Sequence, residues 1–294
     1  MRKLEPEDKT FASAIKIFLL YCKAKNLAPR TIETYRAHLQ CFQKFIGNTS
    51  PEKITAGDIQ AYTLSRPVSP ATNNNHLRTL SVFFHHHNIN IDITKAKEKR
   101  TLIVPFTTEQ VRLLLKQPNK KTFAGLRDLA LMNLLLDTGM RITEALNICR
   151  NDTSSTCIKI TGKGNKERIV PIGQTCYKVL NEYLQAVANL PLESPVFISV
   201  YDNPFTRDQV GKRFKQYGLK AGITGVRVSP HTFRHTFAKL YLLNGGDMFT
   251  LQGILGHESL EMVRRYVHMV AGDLEAQHRK YSPLDGLINR KRTL

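Results

Sequence analysis

The spacing of apolar residues over about the first ninety positions is the feature that most constrains the fold of this chain. One stripe predicts a helix over about residues 8–26, and another stripe predicts a second helix directly after it. Thr55 and Asp58 have the spacing of a capping box before a third helix, and Ser69 followed by proline is a start signal for a fourth. Four short helices in succession predict a compact helical bundle over residues 1–87.

The segment 88–106 lacks helical periodicity and carries a cluster of cations. Its composition is typical of a linker, and the cations favour contact with phosphate. Residues 107–294 then predict a larger, mainly α unit with one hairpin, whose arms span 157–161 and 168–172. We therefore expect a mainly α protein with a small antiparallel β-sheet in its second unit, and a carboxy-terminal tail from about residue 271.

The formal net charge of +19 makes a polyanion the natural partner of this chain. A surface tuned only for solubility is the alternative. The acidic start and the lack of an apolar run of about 20 residues argue against a secreted or membrane protein. Five cysteines form no C-x-x-C pattern, so neither a disulfide framework nor a zinc knuckle is expected. We expect a reduced, cytoplasmic protein.

Four short segments of the second unit carry side chains suited to reaction with a phosphodiester. The candidate catalytic residues are, in chain order, Arg141, Lys163, His231, Arg234, His257 and Tyr266. Guanidinium groups can hold phosphate oxygens, an ammonium can protonate a leaving oxygen, an imidazole can accept a proton, and an activated phenol can attack. The set fits phosphoryl transfer without a metal or another cofactor, although each motif by itself is more often structural.

Local start and stop signals predict where two of these segments lie. Gly139 ends a long apolar helix just before Arg141, where a following helix start favours an anion. Ser229, followed by proline, is a helix start signal that places His231 and Arg234 on one face of the helix.

These segments resemble the active-site motifs of the tyrosine recombinases, the phage integrase family, and the layout of the chain resembles the simpler Xer-type members. The motifs are T-G-M-R-I-T-E-A-L (138–146), G-K-G-N-K-E-R-I-V-P-I (162–172), H-T-F-R-H-T-F-A (231–238) and L-G-H followed after eight residues by Y (255–266). The resemblance extends over about residues 8–270. It implies an amino-terminal SAM-like core-binding bundle that clamps DNA, followed by a larger catalytic domain.

The resemblance also implies how the scissile phosphate is held. Arg141 and Arg234 would clamp the phosphate, and His257 would hydrogen-bond to it. No metal, ATP or other cofactor is implied. Glu144 matches a family position that we interpret as supporting the site rather than taking part in the chemistry.

The resemblance further implies that Tyr266 attacks the phosphate and leaves a 3′-phosphotyrosyl link. Lys163 would be the general acid for the 5′-oxygen, and His231 would handle the tyrosine proton. Strand exchange through a Holliday junction would follow when four protomers hold two double-stranded DNA sites together. A partner recombinase or accessory factor is compatible with this scheme, and no membrane is involved.

Several nearby side chains are alternatives that we rank lower. Lys166 and Arg168 follow the hairpin turn, so Lys163 is preferred as the acid. The adjacent histidines 85–87 suggest a metal site, but three successive residues cannot share one helical face. We therefore predict no metal site there.

Six polar side chains are candidate contacts to DNA outside the catalytic set. They are Arg30, Thr34, Asn74 and Arg78 in the bundle, and Lys99 and Arg100 in the linker. The bundle residues occupy helix positions suited to the major groove. Contacts to phosphate are expected to dominate affinity and to make it dependent on salt.

The biological role is less constrained than the chemistry. The stretch 258–265 resembles recombinases of mobile elements more than chromosome-dimer resolvases, which implies integration, excision or resolution as the task. An Xer-type resolvase of chromosome or plasmid dimers is the main alternative. A type IB topoisomerase and a catalytically silent DNA-binding protein are further alternatives. The tail after residue 271 is a candidate segment for docking on a neighbouring protomer.

Overall fold

The protein is described here by a computed structural model. It describes residues 10–98, 103–162 and 167–256, together with the single residues 278, 282 and 284. The chain divides into two compact units, Met1–Thr101 and Leu102–Leu294. No helix within the described ranges is long and apolar enough to cross a membrane.

The described part of the first unit is a bundle of four α-helices. They are α1 (Phe11–Ala24), α2 (Pro29–Ile46), α3 (Ala56–Leu64) and α4 (Pro70–His86), with a 3-10 turn at Pro51–Lys53. The predicted start signals are confirmed, because Thr55 and Asp58 form a reciprocal capping box and the Ser69 side chain accepts a hydrogen bond from the Thr72 backbone. The helices therefore begin where side chains satisfy free N–H groups.

Aromatic side chains form the centre of this bundle. Phe18 lies edge-on to Phe83, with ring centroids 5.5 Å apart, and Phe42 lies edge-on to Tyr62 at 4.9 Å. All four side chains are buried. Since they come from all four helices, one shared apolar core holds the unit together.

Residues 89–98 lie against this bundle. The three isoleucines of the segment pack on the bundle core. Asn74 on α4 is 2% exposed, and its carboxamide is hydrogen-bonded to the backbone of Ala96. The expectation that Asn74 faces outward towards a DNA groove is therefore wrong. Its amide is used inside the unit, where it satisfies the backbone of the segment that follows the helix.

The described part of the second unit is mainly helical and contains a two-stranded sheet. Its elements are α5 (Thr108–Leu115), α6 (Phe123–Thr138), α7 (Ile142–Leu146), a 3-10 turn (Arg150–Asp152), β1 (Cys157–Thr161), β2 (Glu167–Pro171), α8 (Gln174–Ala186), α9 (Arg207–Lys220), α10 (Pro230–Leu243) and α11 (Met248–Leu255). Together with the bundle, this confirms the predicted mainly α fold with a small antiparallel sheet.

The hairpin presents one face to the core. Ile158 pairs with Val170 and Ile160 pairs with Arg168 in the antiparallel register. The two isoleucines and the valine are buried. Because successive strand residues point to opposite faces, Arg168 lies on the same inward face as Val170.

Helix α6 runs through the core of the second unit. Leu131, Met132 and Leu135 on it are fully buried, and most residues of the helix are buried. A helix with buried residues on most of its sides is typical of a central position. The carboxyl end of α6 therefore has a fixed place in the unit, and it fixes where the chain enters the segment that carries Arg141.

A buried polar network joins α6 to α9. Asp128 accepts hydrogen bonds from Arg127 at 2.9 Å and from the Tyr217 hydroxyl at 2.8 Å, and it also pairs with Arg213. Burial, together with the Asp128 carboxylate, raises the pKa of Tyr217 to about 12. The network satisfies a fully buried carboxylate, as a buried charge requires.

Candidate active site

Two helices of the second unit end at glycines with left-handed backbone. Gly139 ends α6 with φ 59°, and Gly256 ends α11 with φ 62°. Such a conformation strains any residue with a Cβ, and a Cβ at Gly139 would also overlap Phe237 and Leu255. The predicted end of α6 at Gly139 is confirmed, and the close packing around Gly139 leaves no room for a side chain.

The Arg234 side chain connects these two helix ends. Its Nη1 donates to the Gly139 oxygen at 2.7 Å, and its Nη2 donates to the Leu255 oxygen at 2.8 Å. Arg234 lies in the first turns of α10, whose start is capped by Ser229 as predicted, and it is 6% exposed. A buried guanidinium is thus fixed by the negative ends of two helix dipoles.

Arg141 lies beside the same two ends. It is the residue immediately before α7, and its Nη2 is 3.5 Å from the Gly256 oxygen. Glu144 accepts a hydrogen bond from the Arg141 backbone N–H at 2.7 Å and another from Arg141 Nη1 at 2.9 Å. The side chain of Arg141 remains 44% exposed, so one guanidinium lies at the surface of the cluster while that of Arg234 lies beneath it.

Glu144 also holds the hairpin. Arg168 donates through Nη1 and Nη2 to the two Glu144 carboxylate oxygens, at 3.0 and 2.8 Å, and its Nε is 3.3 Å from the Ile254 oxygen. Burial alone would raise the pKa of Glu144, but the hydrogen bonds and charge of Arg168, together with the hydrogen bonds of Arg141, lower it. The carboxylate is therefore ionised at neutral pH and bridges two cations.

The part that Arg168 plays in this cluster was missed by the sequence analysis, which treated it only as an alternative to Lys163. A signal was present in the strand pattern. Arg168 lies two residues before Val170 on β2, so a charged side chain was directed to the buried face of the hairpin. A cation at such a position predicts a buried carboxylate as its partner.

His231 lies on the exposed side of the start of α10. Partial burial, together with the cations Arg234, Arg207 and Arg227, lowers the pKa of His231. At neutral pH the imidazole is therefore largely unprotonated. A neutral imidazole can accept a proton.

The remaining candidate catalytic residues, Lys163, His257 and Tyr266, lie outside the described residues. Their described neighbours do belong to the cluster. The hairpin that carries position 163 is joined to Glu144 through Arg168, and Gly256, which precedes position 257, lies beside Arg141. Described parts of all four motifs are therefore in contact in one region of the second unit.

The candidate DNA contacts of the first unit belong to a different unit from the cluster around Arg234, which lies in the second unit. Arg30 and Thr34 are exposed on α2, where the Thr34 hydroxyl donates to the Arg30 oxygen at 2.8 Å. Arg78 is exposed on α4 and donates to Asn75 at 2.8 Å. Lys99 and Arg100 lie outside the described residues.

Within the described ranges, no group of three His, Cys, Asp or Glu residues is placed to hold a metal.

Both units match one protein family. Residues 105–272 match the phage integrase family, and residues 15–88 match its N-terminal SAM-like domain. The chain belongs to the phage integrase family. As an Xer-type tyrosine recombinase, it is an enzyme that cleaves and rejoins DNA.

Curated relatives of this tyrosine recombinase include two proteins named tyrosine recombinase XerD. The protein of Listeria innocua is 30% identical over 282 residues, which cover 88% of this chain and 94% of that protein. The protein of Staphylococcus haemolyticus is 34% identical over 197 residues, which cover 65% of this chain and 66% of that protein.

Solved structures support the fold. XerH bound to its difH substrate in a pre-cleavage complex matches with a TM-score of 0.67 at 24% identity, covering 86% of this chain and 82% of that chain. A lambda integrase tetramer bound to a Holliday junction matches with a TM-score of 0.72 at 17% identity, covering 89% of this chain and 78% of that chain. This tyrosine recombinase therefore shares its architecture with proteins captured on DNA.

Proposed function

We propose that this recombinase breaks DNA through a 3′-phosphotyrosyl intermediate and exchanges strands between two sites through a Holliday junction. The observation that carries the proposal is the position of Arg234, whose guanidinium joins the chain just before Arg141 to the chain just before His257. Residues from distant parts of the sequence thereby meet beside two guanidinium groups, which are suited to binding a phosphodiester.

Arg141 and Arg234 are the proposed clamp for the scissile phosphate. A phosphodiester gains negative charge on its non-bridging oxygens during attack, and fixed guanidinium groups stabilise that charge without reorganisation. Arg234 is held rigidly by two backbone oxygens, and Arg141 is held by Glu144. His257 is proposed to add a hydrogen bond to the same phosphate.

The proposed proton transfers balance within the site. The phenolic oxygen of Tyr266 bonds to phosphorus while the bond between phosphorus and the 5′-oxygen breaks. The phenol proton passes to the neutral imidazole of His231, and the departing 5′-oxygen takes a proton from Lys163. The lowered pKa of His231 supports its part as proton acceptor.

The covalent link keeps the energy of the broken ester. A 5′-hydroxyl from a second duplex can therefore attack the phosphotyrosine, reverse both proton transfers and release Tyr266. One phosphodiester is exchanged for another, so no ATP is consumed. Four protomers on two synapsed sites would supply the partner duplex, as the lambda integrase tetramer on a Holliday junction illustrates for that protein.

For the biological role, we propose integration, excision or resolution for a mobile element acting on simple sites in the cytoplasm. The resemblance of the stretch 258–265 to recombinases of mobile elements supports this choice over resolution of chromosome or plasmid dimers. Footprinting on DNA that flanks the gene would identify the site and separate these two roles.

A plasmid that carries two copies of the identified site tests strand exchange. Recombinant products of changed connectivity are expected with the native enzyme. Relaxation of supercoils without such products would contradict the proposal and favour a topoisomerase. Binding without any strand breakage would favour a catalytically silent DNA-binding protein.

A further inference from the structure

The segment that leaves the first unit is tied back to helix α4 by one buried side chain. The Asn74 Nδ2 donates to the Ala96 oxygen at 2.8 Å, and the Ala96 N–H donates to Asn74 Oδ1 at 3.0 Å. Asn74 Nδ2 also donates to the Glu98 carboxylate at 2.8 Å. The carboxamide therefore pairs with Ala96 as a neighbouring strand would.

Apolar contacts fix the same segment closer to the helix end. The isoleucines at 89, 91 and 93 pack on the core of the bundle. The chain thus follows α4 backwards from its carboxyl end, near Ile89, to its amino end, near Asn74. Asn74 therefore holds the segment through the backbone of Ala96 and through the side chain of Glu98.

The pinned segment carries two exposed lysines, Lys95 and Lys97, on either side of Ala96. Arg78, one helical turn after Asn74, is 57% exposed and lies 3.4 Å from Glu98. Asn74 therefore brings three cations of α4 and the linker into one neighbourhood. Glu98 offsets part of their charge and keeps Arg78 beside the segment.

We propose that Asn74 is a positioning residue for DNA binding, which fixes Lys95 and Lys97 beside Arg78 as one preformed surface for the DNA backbone. The inference rests on the proposed function, because it concerns the substrate of the same enzyme. A lysine on a pinned backbone loses less conformational freedom when it binds phosphate than one on a mobile chain. Replacing Asn74 should therefore weaken binding even though its side chain is buried within the unit.

The hydrogen bonds by which Asn74 holds the segment at Ala96 can be tested first without DNA. Limited trypsin digestion of the full chain, with cleavage sites assigned by mass spectrometry, reports access to the bonds after Lys95 and Lys97. We expect cleavage there about tenfold faster in Asn74→Ala than in the native protein, because cleavage follows local opening. Asn73→Ala is the matched control, since Asn73 is buried on α4 and bonds to Thr63 and Arg66 instead. Equal cleavage rates in the two variants would refute the claim that Asn74 holds this segment in place.

The effect on DNA is tested by coupling. Affinity for a labelled duplex of mixed sequence is measured for Lys95→Gln combined with Lys97→Gln, in the native and the Asn74→Ala backgrounds. We expect the lysine changes to weaken binding about tenfold in the native background and less than about threefold with Asn74→Ala. A merely structural loss of stability would leave the two factors equal, as we expect with Asn73→Ala, and equal factors with Asn74→Ala would overturn the proposal.

Failure of the proposed function gives a different result. If the native chain binds the duplex but forms no covalent adduct with its own site, the proposed chemistry fails while the coupling still decides the part of Asn74. If the lysine changes leave the affinity of the native chain unchanged, the positioning proposal is overturned whatever the chemistry.

Discussion

The guanidinium of Arg234 donates to the backbone oxygen of Gly139 at 2.7 Å, and this oxygen lies two residues before Arg141. Its second nitrogen donates to the oxygen of Leu255, two residues before His257. One buried side chain therefore sets the spacing between two segments that carry the other proposed phosphate contacts, Arg141 and His257. Its geometry decides whether those contacts can converge on one phosphate.

Replacing Arg234 by lysine should remove this fork. An ammonium cannot donate to both helix ends in the same geometry, so we expect DNA cleavage to fall by at least about 10²-fold and the melting temperature to drop. Single-turnover cleavage and thermal unfolding measure the two effects. Arg112→Lys, at an exposed arginine of α5 paired with exposed Glu109, is the control and should change neither. Native cleavage rates in Arg234→Lys would contradict the clamp.

Replacing Glu144 by glutamine should loosen both Arg141 and the hairpin. The amide keeps the shape but removes the negative charge between two guanidinium groups, so we expect about 1–3 kcal/mol less unfolding free energy and slower cleavage. Urea unfolding and cleavage assays provide the measurement. Glu167→Gln is the control, because the Lys159–Glu167 pair is half exposed and such pairs contribute less than about 1 kcal/mol. Equal effects of the two substitutions would refute the bridging role of Glu144.

The pH dependence of cleavage should report His231. Its pKa is lowered by burial and by Arg234, Arg207 and Arg227. The neutral imidazole therefore persists at pH values at which an ordinary histidine is protonated. The cleavage rate is expected to stay level as the pH falls to about 6.5, the ordinary pKa, and to decline only below it. Arg227→Gln removes one cation, raises the pKa and moves the decline to higher pH. A decline unchanged by this substitution would argue against His231 as the proton acceptor.

A separate pH effect is expected on the stability of the first unit. His76 of α4 is hydrogen-bonded to Tyr62 at 2.9 Å and to Arg66 at 3.0 Å, and its ring stacks on His38. Burial, with His38 and Arg66, lowers the pKa of His76 to about 4. Between that pH and the ordinary value of 6.5, the unfolded chain binds a proton that the folded chain excludes. Stability therefore falls as the pH is lowered through this window and is unaffected above it.

Urea unfolding at about pH 7 and about pH 5 measures this loss, to which His76 should contribute at most about 2 kcal/mol. His76→Gln should reduce the difference between the two pH values. The exposed His85, on the same helix, is the control, and His85→Gln should leave the difference unchanged. A pH difference that is undiminished in His76→Gln would assign the effect to another group.

Local signals made the helix boundaries predictable. Ser229 and Thr55 accept hydrogen bonds from the first turns of their helices, and Gly139 adopts the left-handed backbone that ends α6. Each signal acts within about four residues along the chain, so it can be read without knowledge of the fold. The order of helices and the position of the hairpin followed from the same kind of pattern.

Contacts between distant segments were not predictable in this way. The Glu144–Arg168 pair spans 24 positions, and Asn74 reaches Ala96 across 22. Their partners are chosen by the packing of whole helices and strands, which periodicity does not specify. Asn74 looked like an exposed polar residue on a helix, and only the backbone it satisfies explains why it is buried.

The central claim is that Tyr266 forms a covalent bond with DNA. A duplex of the identified site, nicked next to the scissile phosphate so that the short strand diffuses away, traps the intermediate on a denaturing gel. The native enzyme should give an adduct whose nucleotide-bearing peptide contains Tyr266 by mass spectrometry, and Tyr266→Phe should bind the same duplex without forming one. An adduct that persists in Tyr266→Phe, or that maps to another residue, would contradict the account.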